Sequence, residues 1–397
     1  MSIKIKVASS PKELDDVYRL RYDVYVIDDA KFGKEKFPDM RMVDRFDALT
    51  HVANIIAYEG DLPIATLRLN KDSSVGLPSE HLYDFAPFRE RLAEESGESI
   101  TIVSCGMLCV HKKWRRRRDV IYALFKMAIG IGSYWNTTHS VATVSQDTVS
   151  LYGRMGYSPL SDPIWIDEIG NHIVPMVATY KEIHQWTFSN LLDSKLDKFW
   201  LDSFGENFER ILLSPGEKLF SEGDDANAAY IIDDGWIALS RIDMEHKELI
   251  IATIGKGGLF GELALVDNST RSATATATTH CELIRIEKGL FNQKRRANPA
   301  HTEKLLQMCA QRLRKMDDLA IVMAYAPQTG RVKYALNQIK ASAIPDRKKT
   351  NSLVVRMGVT ALAQTAGVRE HEVLRILEQE KTEGRLDYGK NIIRFFE

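Results

Sequence analysis

The sequence predicts an α+β multidomain protein: an α/β domain over 1–185, a small β-roll with a long helix over 186–325, and a helical terminal domain over 326–397. Three observations carry this division. Residues 1–185 alternate helix-period and strand-period runs. Residues 200–300 are short strands separated by turn signals such as SPGEK, EGDDAN and DDG. From 301 onward helical periodicity dominates, until the strand-like RLDYGKNIIRFF. A chain of 397 residues is long enough for two or three separate cores. TFSNLLDSKLDKFW (187–200) reads as a connecting helix between the first two segments.

The 53 basic and 54 acidic residues nearly cancel, so global charge names no partner. Cys105, Cys109, Cys281 and Cys309 form no CxxC pair and no cluster with histidine, so no metal site is expected. The most apolar helical stretch, IYALFKMAIGIGSYW (121–135), is too short to span a bilayer and contains Lys126. MSIKIKVASSPKEL lacks the apolar core of a signal peptide, and a cytoplasmic protein is expected.

In the first segment, GMLCVHKKWRRRRDVIYALFKMAIGIG reads as a strand, a basic loop and a helix. Helix-start amides are a natural seat for a pyrophosphate. The run KKWRRRR also reads as a solvated loop or as a docking patch for an acidic acyl carrier protein. With LYGRMGYSPL, the segment resembles GNAT acyltransferases, in their phosphate loop and their FYxxxGF segment. That resemblance implies a coenzyme A pyrophosphate wrapped by Arg115, Arg116, Arg117, Arg118, Asp119 and Val120. Tyr152 would be the general acid for the leaving thiolate. YRLRYDVYVIDD, VDRFDALTHV and IATLRLN resemble the autoinducer synthase and N-acyl amino acid synthase branch, matching at Arg21, Val24, Tyr25, Asp44, Phe46, Asp47 and Arg68. Of these, Arg21, Asp44, Asp47 and Arg68 are expected on the acyl-acceptor side; the aspartates also read as loop caps. Ser104 and Met107 stand where autoinducer synthases carry a Glu and an Arg.

In the middle segment, FGELALVDNSTRSATATA (260–277) has the chemistry of an anion cradle. Gly261 permits close backbone approach, Arg271 can form a two-pronged pair with a phosphate, and Ser272 adds a donor. Glu262 is left to accept a sugar hydroxyl. Ala273, Ala275 and Ala277 alternate with threonines, predicting a strand with a small-residue inner face. The stretch resembles the phosphate-binding cassette of cyclic nucleotide-binding domains, which implies that Gly261, Glu262, Leu263, Ala264, Arg271 and Ser272 contact the cyclic phosphate and ribose. Met316 and Asp317 stand where catabolite-activator-like proteins carry two hydroxyl residues that read adenine; Asp317 can accept from an exocyclic amine, and cyclic AMP is expected ahead of cyclic GMP. Leu306, Cys309, Leu313, Met316, Ala320 and Met323 recur at steps of three and four, the seam of a homodimer helix or of a helix packed on its own roll.

Residues 326–397 carry 13 Lys/Arg and 8 Asp/Glu, a local excess that suits a polyanion. Leu362, Ala363 and Ala366 give one helix an apolar face, Gly367 permits a turn, and Val373, Ile376 and Leu377 give the next helix its own. The order resembles the winged helix-turn-helix of Crp/Fnr regulators, including TGR (329–331) at the hinge. That implies DNA contacts from Arg369, Glu370, His371 and Arg375. Three functions follow: a cyclic nucleotide-responsive DNA-binding regulator with an appended acyl-CoA or acyl-carrier-protein dependent acyltransferase-like domain, a cyclic nucleotide-gated N-acyltransferase, or a non-catalytic acyl-ligand sensor.

Overall fold

The computed structural model describes residues 2–95, 100–167, 170–188, 199–204, 209–341, 343–346 and 351–396; most of the connecting helix expected over 187–200 lies outside them. The chain forms two compact units, Met1–Leu212 and Leu213–Glu397.

The first unit is built on a sheet with helices packed against it. Its strands are β1 (Ile3–Val7), β2 (Val52–Glu59), β3 (Leu62–Lys71), β4 (Ile102–Val110), β5 (His139–Ser145), β6 (Ser158–Pro159), β7 (Ile164–Ile166), β8 (Asn171–Thr179) and β9 (Glu209–Leu213). They run in the order β9-β1-β2-β3-β4-β5-β8-β6, with β7 on β8. Its helices are α1 (Pro11–Tyr22), α2 (Ala86–Glu95), α3 (Arg118–Tyr134), α4 (Val149–Arg154), α5 (Tyr180–Phe188) and α6 (Phe199–Phe204). Ser10 and Glu13 cap the start of α1 reciprocally, and Pro11 presets its first turn. On α3, Val120, Ala123, Leu124, Met127, Ala128 and Ile131 recur at helical spacing and enter the main core. The parallel pair β4–β5 is short: only Ile102–Ser104 face His139–Val141.

The second unit begins with a roll of two sheets, β14-β11-β16 and β10-β15-β12-β13. Its strands are β10 (Lys218–Phe220), β11 (Ala228–Asp234), β12 (Ile237–Ile242), β13 (Glu248–Ile254), β14 (Leu259–Phe260), β15 (Thr274–Ala277) and β16 (Cys281–Glu287). Ala273, Ala275 and Ala277 are buried, as the alternation predicted. A one-turn helix α7 (Leu263–Val266) interrupts the roll, and α8 (Lys288–Ala297) and the 27-residue α9 (Pro299–Tyr325) follow it. After Pro327 come α10 (Gln328–Ala341), β17 (Ile344–Pro345), β18 (Ser352–Val355), α11 (Val359–Ala366), α12 (Glu370–Thr382), β19 (Leu386–Gly389) and β20 (Ile392–Phe396). Gly367 ends α11 with a left-handed φ of 61°, which only glycine adopts without strain. The six predicted core residues of α11 and α12 are all buried.

Candidate functional site

The cassette between β14 and β15 closes around one cleft. Gly261 has φ 74°, and a Cβ there would lie 2.7 Å from Nη1 of Arg271, so both the conformation and the space demand glycine. Arg271 is buried, donating to the carbonyls of Gly261 and Ala228 at 2.7 Å each. Its guanidinium lies 4.1 Å from the centroid of the Phe220 ring. Glu262 is fully buried; burial raises its carboxyl above the ordinary value, while Arg312 pulls the other way. Its Oε1 accepts from Nη1 of Arg312 at 2.5 Å, and Oε2 has no partner. Leu263, Ala264 and Ser272 also line the cleft, with Ser272 exposed. Asp317 is exposed and is not among the lining residues; Arg312, on the same helix α9, is. Sequence reasoning missed Arg312, although it lies at helical spacing from Met316, a position it did consider.

The structure draws Arg21, Asp44, Asp47 and Arg68 into one network in the first unit. Arg21 Nη1 donates to both oxygens of Asp47, at 2.9 and 3.1 Å, and its Nη2 donates to Asn54. Arg68 forms a fork on Asp44 at 2.8 and 2.9 Å and reaches Asp47 at 2.9 Å. Asp44 and Asp47 also cap the short turn Arg45–Ala48 reciprocally, so the capping and ion-pairing roles coexist. Burial alone would raise the Asp47 carboxyl, but Arg21 and Arg68 hold it below its ordinary value. Only Asp44, with 35% of its side chain exposed, opens the network to solvent.

Beyond Ser104 and Val141, β4 pairs only with β3, and β5 only with β8. The two central strands therefore part. β4 is bulged there: Thr66 faces Cys109 and Arg68 faces Gly106, and Met107 adopts φ 52°. Gly106, Met107 and Leu108 are partly exposed although the strand on either side of them is buried. Tyr152, on α4, is buried edge-on to Phe125 and Tyr157 at 5.8 and 5.3 Å. Burial, with Cys105, Tyr157 and Tyr25 nearby, holds its phenol well above the ordinary value, so it stays protonated.

Three of the six basic residues of the loop are engaged within the protein. Arg115 pairs with Asp29 at 2.8 Å, Lys112 with Asp28 at 3.2 Å, and Arg117 with Asp119 at 2.7 Å. Arg116 and Arg118 are exposed, whereas the Val120 side chain belongs to the core. Despite burial, the Arg117 guanidinium holds the Asp119 carboxylate below its ordinary value.

Arg369, at the start of α12, and Glu370, His371 and Arg375 on it are all exposed, and Arg375 pairs with Glu372 at 3.1 Å. Along α9, Leu306, Leu313 and Met316 are 65%, 64% and 42% exposed, while Cys309 and Met323 are half-buried. Among the described residues there is no metal-ligand cluster, and no helix is long and apolar enough to cross a membrane.

Comparison with known proteins bears on both units. Residues 16–179 match the family model of the N-acyl amino acid synthase FeeM, and residues 210–298 match that of the cyclic nucleotide-binding domain. The cyclic AMP receptor protein of Thermus thermophilus is 28% identical over 186 residues, covering 47% of this chain and 83% of the relative. The cAMP-activated global transcriptional regulator CRP of Haemophilus influenzae is 28% identical over 181 residues, covering 44% and 79%. The solved structure of FixK2 from Bradyrhizobium japonicum is 18% identical, covering 47% and 91%, with a TM-score of 0.42. One chain thus joins a segment matching N-acyl amino acid synthases to a cyclic nucleotide-binding β-roll whose relatives include Crp-type regulators.

Proposed function

We propose that the protein is a homodimeric, cyclic nucleotide-responsive DNA-binding transcription regulator, with an acyltransferase domain over 1–185, a nucleotide-sensing roll and dimer helix over 186–325, and a winged helix-turn-helix over 326–397. The observation that carries it is Glu262, a fully buried carboxylate with one oxygen paired to Arg312 and the other left for a ligand. Oε2 takes a ribose hydroxyl, Arg271 takes the cyclic phosphate, and cyclic AMP is the favoured nucleotide. Because Arg312 is part of α9, loading of Glu262 is felt along the exposed Leu306–Leu313–Met316 stripe where two copies meet. Arg369, which caps α12, and Glu370, His371 and Arg375, exposed on it, read DNA.

In the first unit, an amine acceptor attacks the thioester carbonyl of an acyl-CoA or acyl-carrier-protein donor seated between β4 and β5. The C–N bond forms, the C–S bond breaks, the thiolate takes the Tyr152 proton, and the amine proton leaves to water. The match to N-acyl amino acid synthases supports an amino acid as that acceptor. Asp44, the solvent-facing member of the arginine network, marks the acceptor side.

Capture of sheared genomic DNA by the purified protein, with and without cyclic AMP and cyclic GMP at fixed salt, tests the regulator. Recovered sites sharing an inverted repeat and responding to one nucleotide are expected. Sequence-blind recovery sinks the reading and leaves a nucleotide-gated acyltransferase in its place.

A further inference from the structure

Three irregularities of backbone meet at one side chain in the first unit. α1 runs on into a π-helical turn, Asp23–Asp28, an arrangement that recurs at functional sites. β4 carries a bulge in which Met107 and Leu108 have no partner of their own on β3, and Met107 holds a left-handed φ that strains any residue with a side chain. β4 and β5 part beside that bulge. Tyr25, from the π-helical turn, spans these features: its hydroxyl donates to the Leu108 carbonyl at 2.8 Å. Its ring meets Phe32 edge-on at 6.5 Å and packs against the cluster of Leu20, Val24 and Cys109.

A backbone carbonyl in a bulge needs a donor that the sheet no longer supplies. Left alone, it would turn to water, or the bulge would close toward regular strand. Either movement would shift Gly106 and Met107, the backbone that faces the gap. A Cβ on Gly106 would meet nothing within 4 Å, so that backbone looks onto open space.

We propose that Tyr25 is a positioning residue for the acyl donor: its hydroxyl holds the Leu108 carbonyl, and with it the Gly106–Met107 backbone, in the geometry that receives a thioester opposite Tyr152. This inference rests on the acyltransferase reading of the first unit. Tyr25 touches neither reacting atom; it acts through the bulge.

The test is Tyr25→Phe in the full chain, with Phe32→Leu as the control that loosens the ring's packing and keeps the hydroxyl. Amide hydrogen exchange over 105–110 in the unliganded protein reads the bulge itself. Loss of one net hydrogen bond predicts about a five- to tenfold rise there in Tyr25→Phe, with little change in exchange at α3. Calorimetric titration with decanoyl-coenzyme A, and separately with decanoyl-acyl carrier protein, reads the donor site. Affinity for the donor form that wild type binds is expected to fall about five- to tenfold in Tyr25→Phe and to hold in Phe32→Leu. Unchanged exchange over 105–110 overturns the role of the hydroxyl. Raised exchange with unaltered donor affinity overturns the positioning role. If wild type binds neither donor, the acyltransferase reading fails and the positioning role falls with it; the exchange data still report whether the bond shapes the bulge.

Discussion

Arg312 Nη1 meets Glu262 Oε1 at 2.5 Å, joining the helix that follows the roll to a carboxylate with no solvent exposure. Breaking one side of a buried pair costs about 3–5 kcal/mol, and the 28% exposure of Arg312 reduces this to about 1–3 kcal/mol. Burial already raises the Glu262 carboxyl above its ordinary 4.5. A carboxyl raised in the folded state stabilises fully below its unfolded value and loses that contribution as pH rises through the folded one. Arg312→Ala raises it further, so its stability deficit should be larger at pH 7.5 than at pH 4.5. Urea midpoints at the two pH values check this, and adding Glu262→Gln should erase the difference.

Asp47 shows the opposite linkage. Its carboxyl lies below the ordinary 3.8, so its contribution is present above that value and is lost as pH falls through the folded one. Asp47→Asn leaves Arg21, with no exposure, short of its charge partner, at a cost of about 3–5 kcal/mol. Acid titration of the first unit, followed by circular dichroism, should show a less stable variant at neutral pH. Its stability should also change less than wild type's between pH 5 and 3.

Tyr152→Phe keeps the ring among Phe125 and Tyr157 and removes only the hydroxyl. Turnover should fall by about 10²-fold or more, the usual worth of a general acid, with donor binding intact. Equal losses in turnover and donor affinity would point to a packing role instead.

Leu313→Asp puts a charge on an apolar residue that is 64% exposed on α9. Sedimentation velocity should show a dimer in wild type and a monomer in the variant. Thermal stability at high dilution should stay close to wild type, because the side chain is largely exposed. A dimeric variant would place the seam elsewhere.

Gln364, on α11, donates to Glu248 of β13 at 2.9 Å, and Glu248 also accepts from Ser240 at 2.6 Å. The Gly367 turn lies against Met323 and Leu249. Gln364→Ala should raise amide exchange across Val359–Ala366 by about fivefold in the nucleotide-free protein, the loss of roughly one hydrogen bond. Unchanged exchange would show that this hydrogen bond contributes nothing to holding α11.

The legible part of the site was the part contiguous in sequence. Gly261, Glu262 and Arg271 sit within one cassette, and a tight turn, an anchored carboxylate and a cation state their chemistry at short range. The α11–α12 core was legible for the same reason, since helical spacing and Gly367 together imply two apolar faces and a turn. The alternation of alanine and threonine announced the buried face of β15. Asp317 was chosen by analogy along α9, but side chains project from a helix about every 100°, and Arg312 is the one that faces the cleft in this copy.

By itself, then, the sequence determined the local elements and the residue types of the cassette, because propensity, capping and periodicity act within a few residues of chain. Only the tertiary structure decided which polar groups meet. Arg21 and Asp47 are 26 residues apart, Glu262 and Arg312 are 50, and Tyr25 and Leu108 are 83. Such pairings depend on which elements pack together, and packing is settled by burying the whole apolar surface at once. No local pattern encodes that outcome.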